Sequence, residues 1–180
     1  MNITIKDVVG AQGTVDEAAV RAEYETITQT LIKERLTITT MESCTSGQVA
    51  SLITDTEGSS AVLHGAYVTY QNEAKVKQGV PQDIVDRHGV YSAETACAMA
   101  HACRLSYAAD IGVGVTGSFG NVDPNNADSV PGEVYFALST KAGEQGFHCT
   151  VPVQPSRYAY KLYMADVIAQ VLLRLLAANN

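Results

Sequence analysis

Two hydrophobic periodicities alternate along this chain, and their order restricts its fold more than any other feature. Residues 36–41 (LTITTM) are rich in β-branched side chains, residues 61–71 in Val and Tyr, and residues 111–115 alternate Gly with Val or Ile. Each run reads as a strand, the first and third as buried ones. Helical spacing fills the intervals. TVDE at 14–17 has the form of a capping box, and Val20, Tyr24, Ile27 and Leu31 then recur on one helical face as far as about Arg35. A second helix is expected over 47–54 and a short one over 73–78 behind an N-cap at Asn72. Another starts at Pro81, and a longer one runs from Ser92, as its cap, to about Tyr107. The order then changes. Residues 134–140 and 146–153 read as two strands joined through KAGE, and Leu162, Ala165, Ile168, Leu172 and Leu175 stripe a last helix starting near Ser156. Alternation followed by a hairpin predicts a three-layer α/β/α domain with a mixed sheet. At 180 residues the chain suits one domain, 1–180, with a single well-buried core.

Composition narrows the function classes. The formal net charge is −7 and no Lys/Arg cluster stands out, which argues against nucleic acid as a partner. A few local cations can still hold an anionic small molecule on an acidic protein. No apolar run approaches the roughly 20 residues that span a bilayer, so no membrane partner is expected. The first ten residues carry Lys6 and Asp7 and lack a long apolar core. They do not read as a secretory leader, and a cytoplasmic location is expected. Cys44, Cys97, Cys103 and Cys149 form no C-x-x-C pair and read as reduced core thiols. His64, His88, His101 and His148 show no zinc-ligand spacing, so zinc is not expected.

Four short stretches could carry chemistry. ESCTSG at 42–47 directly follows a strand and opens a helix. A hydroxyl there, on Ser43, sits at the sheet end, where unpaired helix-start N–H groups favour developing negative charge. Thr45, Ser46 and Gly47 are small enough to let a ligand approach. Plain N-capping accounts for the same residues equally well. In YQNEAK at 70–75, an N-cap at Asn72 would place Lys75 in a first helical turn. The dipole there disfavours the ammonium form, and a neutral lysine is what a base for serine requires; a solvated surface lysine is the plain alternative. GVTG at 114–117 ends a buried strand, where ligands collect in α/β sheets. Arg157 and Lys161, one turn apart, could meet a phosphate or pair at the surface. The loop EGSS at 57–60 adds hydroxyls or is an ordinary turn.

Together these stretches resemble, in order and spacing, the CinA C-terminal domain family of nicotinamide-nucleotide amidohydrolases. TMESCTSG at 40–47 resembles the family's TAESCTGG, and LITD at 52–55 with GSS at 58–60 resembles LITD and GSS. VTYQNEAK at 68–75, HGVYS at 88–92, VTG at 115–117 and Arg157 also match in order, while residues 1–22 are an extension without a clear match. The resemblance implies a serine amidohydrolase that converts nicotinamide mononucleotide to nicotinic acid mononucleotide and ammonia. It implies Ser43 as nucleophile, Lys75 as base, and Tyr70 and Ser60 in the hydrogen-bond network. Thr45, Thr116, Gly117 and Arg157 would bind substrate or the oxyanion. No metal or cofactor is implied; the partner is a small-molecule mononucleotide, and a homo-oligomer is expected. Rival readings are a serine amidase or esterase acting on another substrate, or a catalytically silent nucleotide-binding paralogue. The departures concentrate in one region: Ser46 replaces a glycine, PSR at 155–157 replaces GDR, and the segment after Gly117 replaces a Gly-rich stretch. If that segment lines the site, Asp123 and Asp128 are expected to oppose a phosphate.

Overall fold

The computed structural model describes residues 5–178. In chain order the elements are β1 (Ile5–Asp7), α1 (Glu17–Glu34), β2 (Ile38–Glu42), α2 (Gln48–Thr54), a single 3₁₀ turn (Ser59–Ala61), β3 (Leu63–Val68), α3 (Asn72–Lys77), α4 (Gln82–His88), α5 (Ala93–Ser106), β4 (Ile111–Gly117), β5 (Glu133–Thr140), β6 (Gly143–Thr150) and α6 (Arg157–Ala178). The strands form one sheet in the order β1-β6-β5-β4-β2-β3. β3, β2 and β4 run parallel, β5 and β6 form an antiparallel hairpin beside β4, and β1 pairs parallel with β6 at the far edge. The expected mixed sheet between two helical layers is therefore present.

β4 shows why the layers sit where they do. Its sequence IGVGVTG puts Ile111, Val113 and Val115 on one face, where they join the main core with residues of α1, α2 and α6. Gly112 and Gly114 lie on the other face, against α5. A Cβ on Gly112 would stand 2.2 Å from the Ala100 carbonyl oxygen, and one on Gly114 would stand 2.2 Å from that of Ala96. Only glycine lets the helix backbone rest directly on the strand. α5 brings small residues to this contact: Ala96, Cys97 and Ala100 pack together with Ala137 of β5.

Several boundaries differ from the sequence expectation, each for a local reason. Asp16, not Thr14, caps α1: its Oδ1 accepts from Ala18 N at 3.0 Å. β1 falls in the unmatched extension, where three exposed residues carry no strand periodicity; it is tied by pairing to β6 and by His148 Nδ1 with Asp7 Oδ1 at 2.9 Å. The hairpin turns on Lys141 and Ala142 alone, with Thr140 opposite Gly143, so β6 begins three residues before the expected start. Ser92 caps α5 as expected, accepting from Thr95 N at 3.1 Å. All four cysteines are unpaired and buried. Where α1 meets α6, Asp166 is buried and paired with Gln170 at 3.0 Å, and one oxygen of Glu23 is buried with no hydrogen-bond partner among the described residues. Burial raises the pKa of both carboxyls, and the charge of Asp166 raises that of Glu23 further.

Candidate active site

Ser43 is delivered by a tight turn between β2 and α2. Ser46 and Gly47 both adopt left-handed backbone (φ 52° and 87°), which reverses the chain within a few residues. The family's glycine at position 46 thus corresponds to a place where an L side chain is disfavoured. Gly47 offers α2 no side-chain cap. Glu42 takes over that role from the strand. Its fully buried carboxylate accepts from Ala50 N and Thr40 Oγ1, each at 2.9 Å, and from Val49 N at 3.2 Å. A negative charge against the open N–H groups of a helix start is favourable, and three donors offset its desolvation. Ser43 N donates to Val115 O at 3.0 Å, which locks the turn to β4. The side chain emerges, 6% exposed, at the floor of a cleft of about 540 Å³.

Lys75 reaches the same point from α3. It is 1% exposed, and its Nζ donates to Ser43 Oγ at 3.0 Å and to Thr69 O at 2.8 Å. Burial depresses its pKa to about 8, against the opposing pull of Cys44, Asp123 and Glu73. The expected cause was different. Asn72 does not cap α3; Gln71 occupies the cap position without a side-chain bond, and Lys75 lies in the last turn of a six-residue helix. Desolvation, not the dipole's positive end, makes this amine release its proton readily. The neighbouring thiol goes the other way: burial and the charge of Glu42 push Cys44 up to about 12. Beside a poised serine, that thiol is a poor nucleophile.

The remaining expected site residues divide. Gly117 and Arg157 line the cleft with Tyr70. Tyr70 is 59% exposed at the rim, and its hydroxyl accepts from Arg157 Nη2 at 3.2 Å; among the described residues no hydrogen bond links it to Ser43 or Lys75. Thr116 is fully buried and donates to Val90 O at 2.9 Å, tying β4 to the segment before α5 rather than facing the cleft. Thr45 is buried, and among the described residues its hydroxyl has no hydrogen-bond partner. Ser60 belongs to the 3₁₀ turn before β3, near the strand end where Leu63 pairs with Ile38, whereas Ser43 follows the opposite end of β2. A strand of this length separates its ends by about 13 Å. Ser60 therefore lies away from the cleft that Ser43, Tyr70, Gly117 and Arg157 line.

The segment after Gly117 forms the cleft's outer wall. Phe119 is buried, stacks on Tyr160 at 5.1 Å between centroids, and carries the Arg157 guanidinium 5.6 Å above its ring. A chain of hydroxyl bonds braces the loop from within: Asp123 N donates to Ser129 Oγ at 2.8 Å, Ser129 Oγ to Ser118 Oγ at 2.9 Å, and Ser118 Oγ to Asn121 O at 2.7 Å. Asn72 Nδ2 donates to Asn126 Oδ1 at 2.7 Å, joining α3 to this wall. Asp123 lines the cleft, whereas the carboxylate of Asp128 sits against Gly89, 3.5 Å from Tyr91 N. Only one of the two loop aspartates is thus placed to act on a ligand. Sequence reading missed Glu42 as a cap and Tyr91 as a lining residue. No short-range pattern marks either one, because their partners lie seven to eight and 32 residues away.

Among the described residues, no group of three or more His, Cys, Asp or Glu side chains is placed to hold a metal ion, and no helix is long and apolar enough to cross a membrane. An α/β domain with a serine and a buried lysine in contact at the carboxyl ends of its parallel strands is the class that fold and site define. Residues 21–175 match the CinA C-terminal domain, and the chain belongs to that family. It is 39% identical over 121 residues to the nicotinamide-nucleotide amidohydrolase PncC of Escherichia coli (strain K12), covering 67% of this chain and 73% of that protein. It is 40% identical over 141 residues to a CinA-like protein of Geobacter sulfurreducens, covering 76% of this chain and 32% of that one. The chain thus spans about a third of the longer relative. The crystal structure of the competence/damage inducible protein CihA from Agrobacterium tumefaciens superposes with a TM-score of 0.79 at 27% identity, covering 93% of this chain and 99% of that one. A CinA superfamily protein from Escherichia coli shares the fold at a TM-score of 0.76 and 24% identity.

Proposed function

We propose that this chain is a serine amidohydrolase that removes the amide of nicotinamide mononucleotide. One observation carries the reading: a lysine buried to 1% exposure, its pKa depressed to about 8, in contact with a serine hydroxyl at the floor of a cleft. In its neutral form Lys75 keeps one N–H on Thr69 O and turns its lone pair to Ser43. It accepts the hydroxyl proton as Oγ bonds to the carboxamide carbon. The tetrahedral oxyanion falls beside the backbone amides of the turn that follows Ser43, ahead of the α2 amides that Glu42 already caps. Collapse breaks the C–N bond, and the leaving nitrogen takes the proton from Lys75 and departs as ammonia. Water then attacks the acyl-serine. Lys75 accepts its proton and returns it to Ser43 Oγ, and the carboxylate product leaves. Arg157 at the rim, held by Tyr70 and Phe119, holds the phosphate.

The presence of Asp123 in the cleft wall favours a second reading, in which the same machinery acts on a carboxamide other than the mononucleotide. Purified protein is incubated with nicotinamide mononucleotide, and ammonia and nicotinic acid mononucleotide are measured. Equal amounts of both products, absent with Ser43→Ala, are expected. Turnover of other aliphatic or aromatic carboxamides, with none of the mononucleotide, selects the second reading. We also propose that the chain assembles as a homo-oligomer, to be read by light scattering.

A further inference from the structure

The cleft lining carries both signs of charge. Arg157 stands over Phe119 and is bonded to Tyr70. Asp123 is anchored rather than mobile: Tyr91 Oη donates to its Oδ2 at 2.6 Å, Asn126 Nδ2 donates to the same oxygen, and Asn125 N donates to Oδ1 at 2.9 Å. These bonds, the tyrosine's first, hold the carboxyl below its usual range, so it is ionised at neutral pH. Asp123 is tied toward the reacting end: Asn126, which donates to its carboxylate, accepts from Asn72 Nδ2 at 2.7 Å, and Asn72 opens the helix that carries Lys75, on which the Asp123 charge acts. Glu73, exposed in the first turn of α3, adds charge of the same sign without comparable anchoring. A substrate whose carboxamide reaches Ser43 therefore meets an anchored anion in the cleft lining beside it.

We infer that Asp123, braced by Tyr91 and Asn126, is a specificity-determining residue of this cleft, favouring carboxamides on a positively charged ring over those on a neutral one. The inference rests on the proposed amidohydrolase reading and names what that site prefers. It also reverses the expectation that this aspartate opposes the substrate. Repulsion requires Asp123 to stand beside the phosphate, whereas its tie through Asn126 to Asn72 turns it toward the helix of Lys75. Asp123 comes from the segment after Gly117, where this chain differs from the family pattern, so the preference belongs to this chain.

The discriminating pair of ligands is nicotinamide mononucleotide and its 1,4-dihydro form. The latter keeps the carboxamide, ribose and phosphate but has no ring charge. Affinities are measured by calorimetry on Ser43→Ala protein, so that turnover does not enter the reading. Asp123→Asn in that background is expected to weaken the charged form about ten-fold and leave the reduced form within about two-fold. Tyr91→Phe should move the charged form in the same direction by a smaller factor. Equal losses for both ligands make Asp123 a structural support of the loop and overturn the inference. Unchanged or tighter binding of the charged form by Asp123→Asn also overturns it, and so does failure of the parent to bind that form at all. If the parent binds with the expected discrimination but protein with Ser43 intact releases no ammonia, the proposed reaction falls and the recognition stands.

Discussion

Lys75 Nζ lies 3.0 Å from Ser43 Oγ, although the two residues come from different helix–strand junctions and are 32 positions apart. Under the proposed mechanism this contact couples activity to one proton, because Lys75 would act as base only when neutral, and its pKa is depressed to about 8. Protonation on the acid side removes the active form. kcat/KM is therefore expected to fall about ten-fold per pH unit below that value and to level off above it. A flat profile between pH 6 and 9 would assign the base to another group.

Ser43→Ala is expected to lower kcat by at least about a thousand-fold while changing the Kd for nicotinamide mononucleotide little, since the hydroxyl serves the covalent step. Lys75→Ala should lose about 10²–10⁴-fold. Lys75→Arg should not recover it, because a guanidinium keeps its proton and does not fit a site 1% exposed. Single-turnover kinetics on the three variants, with folding checked by circular dichroism, test the set. Residual turnover in Ser43→Ala that is abolished by adding Cys44→Ala would transfer the nucleophile's role to the thiol.

Glu42 is fully buried and accepts from two backbone amides of α2 and one threonine hydroxyl. Glu42→Ala strips all three of their acceptor and is expected to cost about 2–4 kcal/mol in urea denaturation. Glu42→Gln keeps one acceptor oxygen and should cost less. Because the turn carrying Ser43 is what this carboxylate braces, kcat should fall further than KM rises in the glutamine variant. A variant as stable and active as the parent would show that the cap is dispensable.

At the α1–α6 contact the sign of the pH effect is opposite to that of a salt-bridged carboxylate. Burial raises the folded-state pKa of Asp166, so the folded chain holds that proton more tightly than the unfolded chain does. Its stabilising contribution is complete below the unfolded value and is lost as pH rises through the folded one. At neutral pH the charge is a net burden. Asp166→Asn should raise stability at pH 7 by up to about 1 kcal/mol, and the gain should vanish near pH 3. Thermal melts of both proteins across that range read the difference, and destabilisation at neutral pH would contradict the assignment.

The parts of the fold that could be read from sequence are those held by local chemistry. Ser92 capping α5, the apolar stripe of α6 and the Gly/Val alternation of β4 follow from spacing alone. Ser43 and Lys75 stood out because each sits at an element boundary within a recognisable motif. What stayed hidden depends on distant neighbours. Lys75 is perturbed by its burial and not by its place in a short helix. Ser60 carries the right hydroxyl, but the parallel pairing of β2 with β3 sends it to the wrong end of the sheet. Asp123 and Asp128 look alike in sequence, and only the folded loop turns one inward. β1 contributes three exposed residues whose strand character exists solely through β6.

The wall between Gly117 and Glu133 is closed at its base. Gly132 N donates to both Ser118 O and Phe119 O, at 2.9 and 2.8 Å, and Ser118 N donates to Glu133 O at 3.0 Å. A segment pinned at its two feet behaves as a cassette. Changes in its length or content alter its own closure entropy only slowly and leave the strands below in register. Residues 119–131 can therefore be rewritten while the serine and lysine keep their spacing, so ligand preference and bond-breaking chemistry can diverge at separate rates within this fold.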